Sequence, residues 1–196
     1  MNKNISAVVL AGGKNGRFSG FNKAFLKING KRIIDSTLDI LKNIFREIII
    51  VTNNYADFAE FHDITVVSDI VKNCGPVGGI YTGLKTINTD YAFFVASDMP
   101  FINKNLIEQI LKLAYKKNTI AVMPCSEKGL EPLFAVYNKK IITGLEKAIE
   151  TEKLSITKII EKMDYDRLKL TEDETQFLIN INTASDFYRY SRPFAI

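Results

Sequence analysis

Short apolar runs alternate along the chain with stretches in which apolar residues recur every three or four positions, so strands and amphipathic helices are expected in turn. Ile5 to Leu10 reads as a buried strand, and Ile34, Leu38, Leu41 and Phe45 recur at helical spacing. Ile48 to Val51 is a second β-branched run, closed by Asn53-Asn54, and Thr65-Val66-Val67 is a third that runs out to Asp69. Pro76 is placed to open a helix at its first position, with Ile80, Leu84 and Ile87 facing inward. Tyr91 to Val95 reads as a strand ending in Ser97-Asp98-Met99-Pro100, and Leu106, Ile107, Ile110, Leu111 and Ala114 mark the next helix. Beyond it, Ile120 to Met123 and Leu133 to Tyr137 predict strands around a turn at Gly129. Helices are expected through Ile141, Leu145 and Ala148, and again through Ile156, Ile159, Ile160 and Met163. Phe177 to Ile181 reads as a late strand, and Thr183-Ala184-Ser185-Asp186 as a capping box at the start of a last helix. Strand–helix alternation of this kind builds an α/β domain with a mostly parallel sheet. No Pro- or Ser-rich linker and no internal repeat interrupts it, so residues 1–196 are expected to form one domain.

Composition narrows the chemistry. At 196 residues with 46% hydrophobic positions, the chain can bury a core without disulfide staples, and Cys74 and Cys125 read as free thiols in a reducing cytoplasm. His62 is the only histidine, which removes most zinc sites and any triad that does not use this residue. The net charge of +4 comes from scattered pairs such as Lys116-Lys117 and Lys139-Lys140, read as solvated helix ends rather than a nucleic-acid surface. Such a mild positive balance still suits a small anionic substrate. No apolar run reaches the ~18 residues of a membrane span. The N-terminal run superficially resembles a signal peptide, but it leads into Gly-Gly-Lys rather than a small-residue cleavage site. A cytoplasmic location is therefore expected.

Four segments could carry chemistry. In Leu10-Ala11-Gly12-Gly13, a strand empties into two glycines, where backbone amides can cradle phosphates, with Arg17 and Lys23 adding cationic charge. The spacing matches neither the P-loop nor the dinucleotide fingerprint, and a tight turn would also use these glycines. Asp98 follows the end of a strand, where open α/β sheets bind ligands and a carboxylate can hold Mg²⁺; an N-cap or turn aspartate is the alternative. Gly75-Pro76-Val77-Gly78-Gly79 would let a helix start lie against a sugar or base, or simply pack closely on a sheet. Alternation in Asn180-Ile181-Asn182-Thr183 would point both amides to one side, although asparagines are also common turn formers.

The order of these segments is more specific than any one of them. With Asp69 and Glu131-Pro132-Leu133-Phe134-Ala135-Val136-Tyr137, they resemble the molybdenum cofactor guanylyltransferase family along nearly the whole chain. The opening motif is shared across the nucleotidyltransferase superfamily, and the later segments narrow the resemblance. It implies a single Rossmann-like three-layer α/β domain of the nucleotide-diphospho-sugar transferase type. The implied reaction moves GMP from GTP to the terminal phosphate of molybdopterin and releases pyrophosphate. It also implies that Leu10, Ala11, Gly12, Gly13, Lys23, Asn53, Asp69 and Gly78 bind the nucleotide, that Asp98 holds Mg²⁺, and that Asn180 and Asn182 lie near the acceptor. In that reaction Lys23 would stabilise the α-phosphate and Arg17 the departing pyrophosphate. Transient contact with proteins that supply or accept the cofactor is expected as well. Related transferases use CTP on molybdopterin or an NTP on another phosphorylated acceptor; a non-catalytic nucleotide-binding protein is the reading of a different class. A nicotinamide dehydrogenase would need the dinucleotide glycine fingerprint and an acidic residue after the second strand, where this chain has Thr52-Asn53-Asn54. Asn22 stands where the family commonly has aspartate, removing one possible charge partner for Lys23. Val51 stands where a second asparagine is often found, removing one amide from the base side and with it some of the support for GTP over CTP.

Overall fold

The computed structural model describes residues 5–12, 17–18 and 21–191, with residues 17, 18 and 21 described by their backbone alone. Strand β1 (Ile5–Leu10) precedes a small hairpin of β2 (Arg17–Phe18) and β3 (Phe21–Asn22). A 3-10 turn at Lys23–Phe25 and a second hairpin, β4 (Lys27–Ile28) with β5 (Lys31–Arg32), lead into α1 (Ile33–Lys42). Next come β6 (Ile48–Val51), a 3-10 turn at Tyr55–Phe58, β7 (Thr65–Val67), α2 (Gly75–Thr86), β8 (Tyr91–Ala96) and α3 (Lys104–Lys117). The remainder comprises β9 (Ala121–Ser126), β10 (Gly129–Leu130), β11 (Phe134–Asn138), α4 (Ile142–Glu150), α5 (Ile156–Ile160), β12 (Asp166–Lys169) and α6 (Ala184–Ser191).

One sheet runs in the order β10-β9-β11-β8-β1-β6-β7, with β12 added beside β9. Four of its pairings are parallel: β1 with β6, β1 with β8, β6 with β7, and β9 with β12. Strand β11 runs antiparallel to both β8 and β9, so the sheet is mixed. Helices cover both faces. Ile34, Leu38 and Leu41 of α1 and Leu106, Ile107 and Ile110 of α3 pack with Ala7, Val9, Phe93 and Val95. Val77, Ile80 and Leu84 of α2 and Leu145 of α4 pack with Val8, Ile49, Phe94 and Tyr137 on the other face. Strands buried on both faces explain why β1, β6 and β8 read as continuous apolar runs instead of alternating ones.

Helix α2 lies unusually near the sheet because glycine replaces bulk along its inner side. A Cβ on Gly83 would come within 2.8 Å of Phe94 Cε1 and 2.9 Å of Val8 Cγ1. Gly83, beyond the Gly75–Gly79 segment, therefore serves close helix–sheet packing. Helix α3 starts on Asn103, whose side chain accepts the Asn105 and Leu106 amides, and ends on Asn118 in the left-handed region.

Four expectations are corrected. Pro76 is the second residue of α2, after Gly75. Helix α5 ends at Ile160, before Met163. Phe177 and Leu178 belong to a 3-10 helix at Asp173–Leu178, and Ile179 to Ile181 form no strand. The Ile181 amide does bond the Asp98 carbonyl, at 2.9 Å, but this is an isolated contact rather than a ladder. Finally, β12 appears at Asp166–Lys169, a polar segment with no apolar run to signal it.

Candidate active site

Register brings the chemistry-bearing loops to one edge of the sheet. Leu10 is level with Val51 on one side and with Ala96 on the other. The chain leaving these strands is then locked by backbone bonds: Ala11 N–H to the Val51 carbonyl at 2.8 Å, Thr52 N–H to Val67 at 2.9 Å, and Ser97 N–H to Leu10 at 3.0 Å. The segments beginning at Ala11, Thr52 and Ser97 thus meet outside the carboxyl ends of the strands, where ligands bind in open α/β sheets.

On one side of this edge lie Gly12, Asn53 and Asp69. Asn53 Nδ2 donates to Asp69 Oδ2 at 2.6 Å, and both groups lie 3.8 Å from the position a Cβ on Gly12 would take. An alanine would fit there in ordinary contact, so the folded chain alone does not demand glycine at 12; a ligand passing over the backbone would. Burial pushes the Asp69 carboxyl above its usual range, opposed by the Asn53 hydrogen bond. Gly79 of α2 closes this side, its absent Cβ lying 2.9 Å from Leu10 Cδ2 and 3.9 Å from Asp69 Oδ1. Gly78 is buried, and a Cβ there would lie 3.0 Å from both the Val71 carbonyl oxygen and Cys74 Cβ.

Lys23 and Asp98 lie on the other side. The lysine is only 3% exposed, and its Nζ stands 3.9 Å from Asp98 Oδ2. Burial raises the Asp98 carboxyl above its ordinary range, while the neighbouring Lys23 ammonium holds it down. Glu131 contributes a further acid. It accepts the Leu133 amide at 3.3 Å, and burial and the charge of Asp98 both raise it. The sequence carried Glu131 only within its motif; strand pairing is what brings it near Asp98, since Ala96 N–H bonds the Leu133 carbonyl.

The remaining expected positions divide. Asp98 holds the Asn180–Asn182 segment through Ile181, whose side chain packs with Ile28 and Ile33. Asn180 Nδ2 donates to the Leu178 carbonyl at 3.3 Å, and Asn182 is exposed. The capping box holds, with Thr183 N–H donating to Asp186 Oδ2 at 2.8 Å and Asp186 N–H to Thr183 Oγ1 at 3.2 Å. Gly13 and the side chain of Arg17 lie outside the described residues. Val51 is 1% exposed and packs with Val8, Ile49 and Ile80, so its side chain faces the core and not the nucleotide edge.

Asp98 has the chemistry of a magnesium ligand, since that ion ordinarily takes one or two carboxylates and completes its shell with water and substrate phosphates. Among the described residues no group of three or more His, Cys, Asp or Glu converges.

Residues 7–168 match the family described as the MobA-like NTP transferase domain. A probable molybdenum cofactor guanylyltransferase from Natranaerobius thermophilus is 35% identical, over 95% of this chain and 94% of its own. A protein of the same description from Peptoclostridium acidaminophilum is 33% identical, over 95% and 88%. Among solved structures, molybdopterin-guanine dinucleotide biosynthesis protein A from Archaeoglobus fulgidus has a TM-score of 0.82 at 24% identity, covering 95% of this chain and 96% of its own. A 4-diphosphocytidyl-2C-methyl-D-erythritol synthase from Anaerococcus prevotii has a TM-score of 0.74 at 17% identity, covering 96% and 95%, so the two share a fold. The family match runs from within β1 to within β12, and this chain belongs to the MobA-like NTP transferase family.

Proposed function

We propose that the protein transfers GMP from GTP to the terminal phosphate of molybdopterin, releasing pyrophosphate and forming the guanine dinucleotide cofactor. The observation that carries the reading is the Lys23–Asp98 pair at the strand ends, opposite Gly12, Asn53 and Asp69, in a chain of this family. The acceptor phosphate oxygen attacks the α-phosphorus of GTP; the bond from that phosphorus to the bridging oxygen breaks, and its electron pair leaves with pyrophosphate. A phosphate acceptor is already ionised near neutral pH, so no general base is required. Catalysis then consists of positioning and charge stabilisation.

Leu10, Ala11, Gly12 and Gly13 approach the nucleotide through their backbone, with Asn53, Asp69 and Gly78 on its far side. Lys23, already desolvated, stabilises charge at the α-phosphate, where a fixed cation in a dry site acts strongly. Arg17 receives the pyrophosphate, and Asn180 and Asn182 border the acceptor. Asp98 would hold Mg²⁺, which would supply positive charge to offset the repulsion between nucleophile and electrophile. Residues 1–196 work as one domain, in the cytoplasm, exchanging the cofactor with proteins that supply or accept it.

The test is purified protein with Mg²⁺, each of four nucleoside triphosphates, and molybdopterin beside other phosphorylated acceptors. Pyrophosphate release and mass detection of the dinucleotide are the readouts. GTP with molybdopterin should turn over fastest. Turnover only with CTP, or only with another acceptor, would overturn the substrate assignment.

A further inference from the structure

Asn22 makes two hydrogen bonds whose polarity fixes how its amide is oriented. Its Oδ1 accepts the Ala24 amide at 3.1 Å, capping the 3-10 turn that carries Lys23, and its Nδ2 donates to Asp57 Oδ2 at 3.3 Å. Asp57 lies in the 3-10 turn after β6, and the same oxygen accepts from Asn54 Nδ2 at 2.7 Å. The contacts continue inward. The Asn54 amide donates to Thr52 Oγ1 at 3.1 Å, and that hydroxyl donates to the Ala11 carbonyl at 3.3 Å. A continuous chain of hydrogen bonds therefore joins the nucleotide-facing end of β1 to the turn that presents Lys23.

We propose that Asp57, acting through Asn22 and held by Asn54, is the positioning residue that fixes Lys23 over its site. Asn22 is required in place of aspartate because its neighbour at 57 is an acid. This rests on the reading of Lys23 given above. The residue at 22 must offer an acceptor to Ala24 and a donor to Asp57, and asparagine does both. Aspartate would keep the cap but turn a second carboxylate oxygen on Asp57. Two carboxylates at hydrogen-bond distance do not both stay ionised without penalty.

Among the described side chains, charged groups around the contact are engaged elsewhere; that of Arg17 lies outside them. Lys23 faces Asp98, and Arg32 binds Asp35 and Glu60 while lying over the rings of Phe25 and Phe61. Arg17 pairs with Asn22 through the hairpin backbone. Among the described side chains, no cation is bonded to Asp57 in a way that would hold an N22D pair together.

The experiment is a double-mutant cycle of N22D and D57N, with kcat and KM for GTP measured across pH and divided by the wild-type value at each pH. D57N alone should stay near wild type, because an amide oxygen at 57 can still accept from Asn22 and Asn54. N22D should match wild type at acid pH, where the pair shares a proton, and lose about tenfold in kcat above neutrality, within the range of coupled neighbours. KM for GTP should change little. Adding D57N to N22D should remove the pH dependence and restore turnover, a rescue that a merely structural cap would not give. If N22D does not fold, D57A reads the same tie by its drop in kcat at unchanged KM. An inactive K23A combined with a pH-flat N22D, or with an N22D defect that D57N leaves in place, overturns the coupling. A fully active K23A overturns the reading of Lys23 beneath it.

Discussion

Replacing Lys23 by methionine separates what this residue does for catalysis from what it does for the fold. The variant keeps an unbranched apolar stem of similar length, so packing of the methylenes survives while the charge goes. At the observed 3.9 Å, attraction to Asp98 is about 4 kcal/mol with an effective dielectric near 20. Against this stands the desolvation of an ammonium that is 3% exposed, a penalty of several kcal/mol after relaxation. Where Asp98 is protonated the two nearly cancel; where it is ionised, the loss of its partner should cost about 3–5 kcal/mol. The change in stability should therefore follow pH. Asp98 is raised by burial and held down by Lys23, so in K23M it rises further. An acid raised by folding supports the folded state below its unfolded value, and that support is lost as pH climbs through the raised value. Urea unfolding should therefore find K23M level with or above wild type at about pH 5, and below it at about pH 8.5. Transfer should fall about 100- to 1000-fold, the loss typical of one preorganised donor at a developing charge. Turnover within tenfold of wild type, or destabilisation beyond about 3 kcal/mol at both pH values, would refute the assignment of Lys23 as a charge held for the reaction.

Two glycines of α2 should behave oppositely on substitution by alanine. Gly83 faces Phe94 and Val8, both fully buried, and overpacking there should cost about 1–3 kcal/mol against a gain of about 1 kcal/mol in helix propensity, leaving KM for GTP unchanged. Gly79 faces the flexible end of Leu10 beside Asp69, so G79A should be close to neutral in thermal melting yet raise KM for GTP; an unchanged KM would remove Leu10 from the nucleotide edge. Glu131 is raised by burial and by Asp98, so its ionisation opposes folding. E131Q keeps the acceptor for Leu133 and should melt higher than wild type above the ordinary carboxylate range, with the advantage vanishing at acid pH; a pH-independent difference would contradict this origin.

The sheet and most helices were legible because strands buried on two faces need unbroken apolar runs, and helices covering one face need apolar spacing of three or four. Segments that obey neither rule were misread or missed. Strand β12 is a polar edge, Asp166 to Lys169, with no run to detect. Phe177 to Ile181 has the composition of a strand but finds only one backbone partner, the Asp98 carbonyl. Candidate site residues were easiest to place where they end strands, as at Leu10 and Asp98, since the motif and the element boundary coincide. Their pairing was not readable: Asn53 with Asp69, Lys23 with Asp98, and Asp98 with Glu131 are made by tertiary folding. Asn22 and Val51 show both outcomes for a departure from a family pattern. Asn22 bonds Asp57, and Val51 turns its side chain into the core.

The bond from Ile181 to the Asp98 carbonyl has a consequence for the protein's manufacture. The candidate site gains its Ile181 segment from residues made long after Ala11, Thr52 and Asp69 have left the ribosome. At typical synthesis rates the interval between residues 98 and 181 is about 4–17 s. During it Asp98 lacks its Ile181 contact, and Ile28 and Ile33 lack the apolar partner that buries them later. The growing chain is thus exposed at this side of the candidate site for seconds, and substitutions near Ile28, Ile33 or Ile181 should lower yield in cells more than they lower the stability of the finished protein.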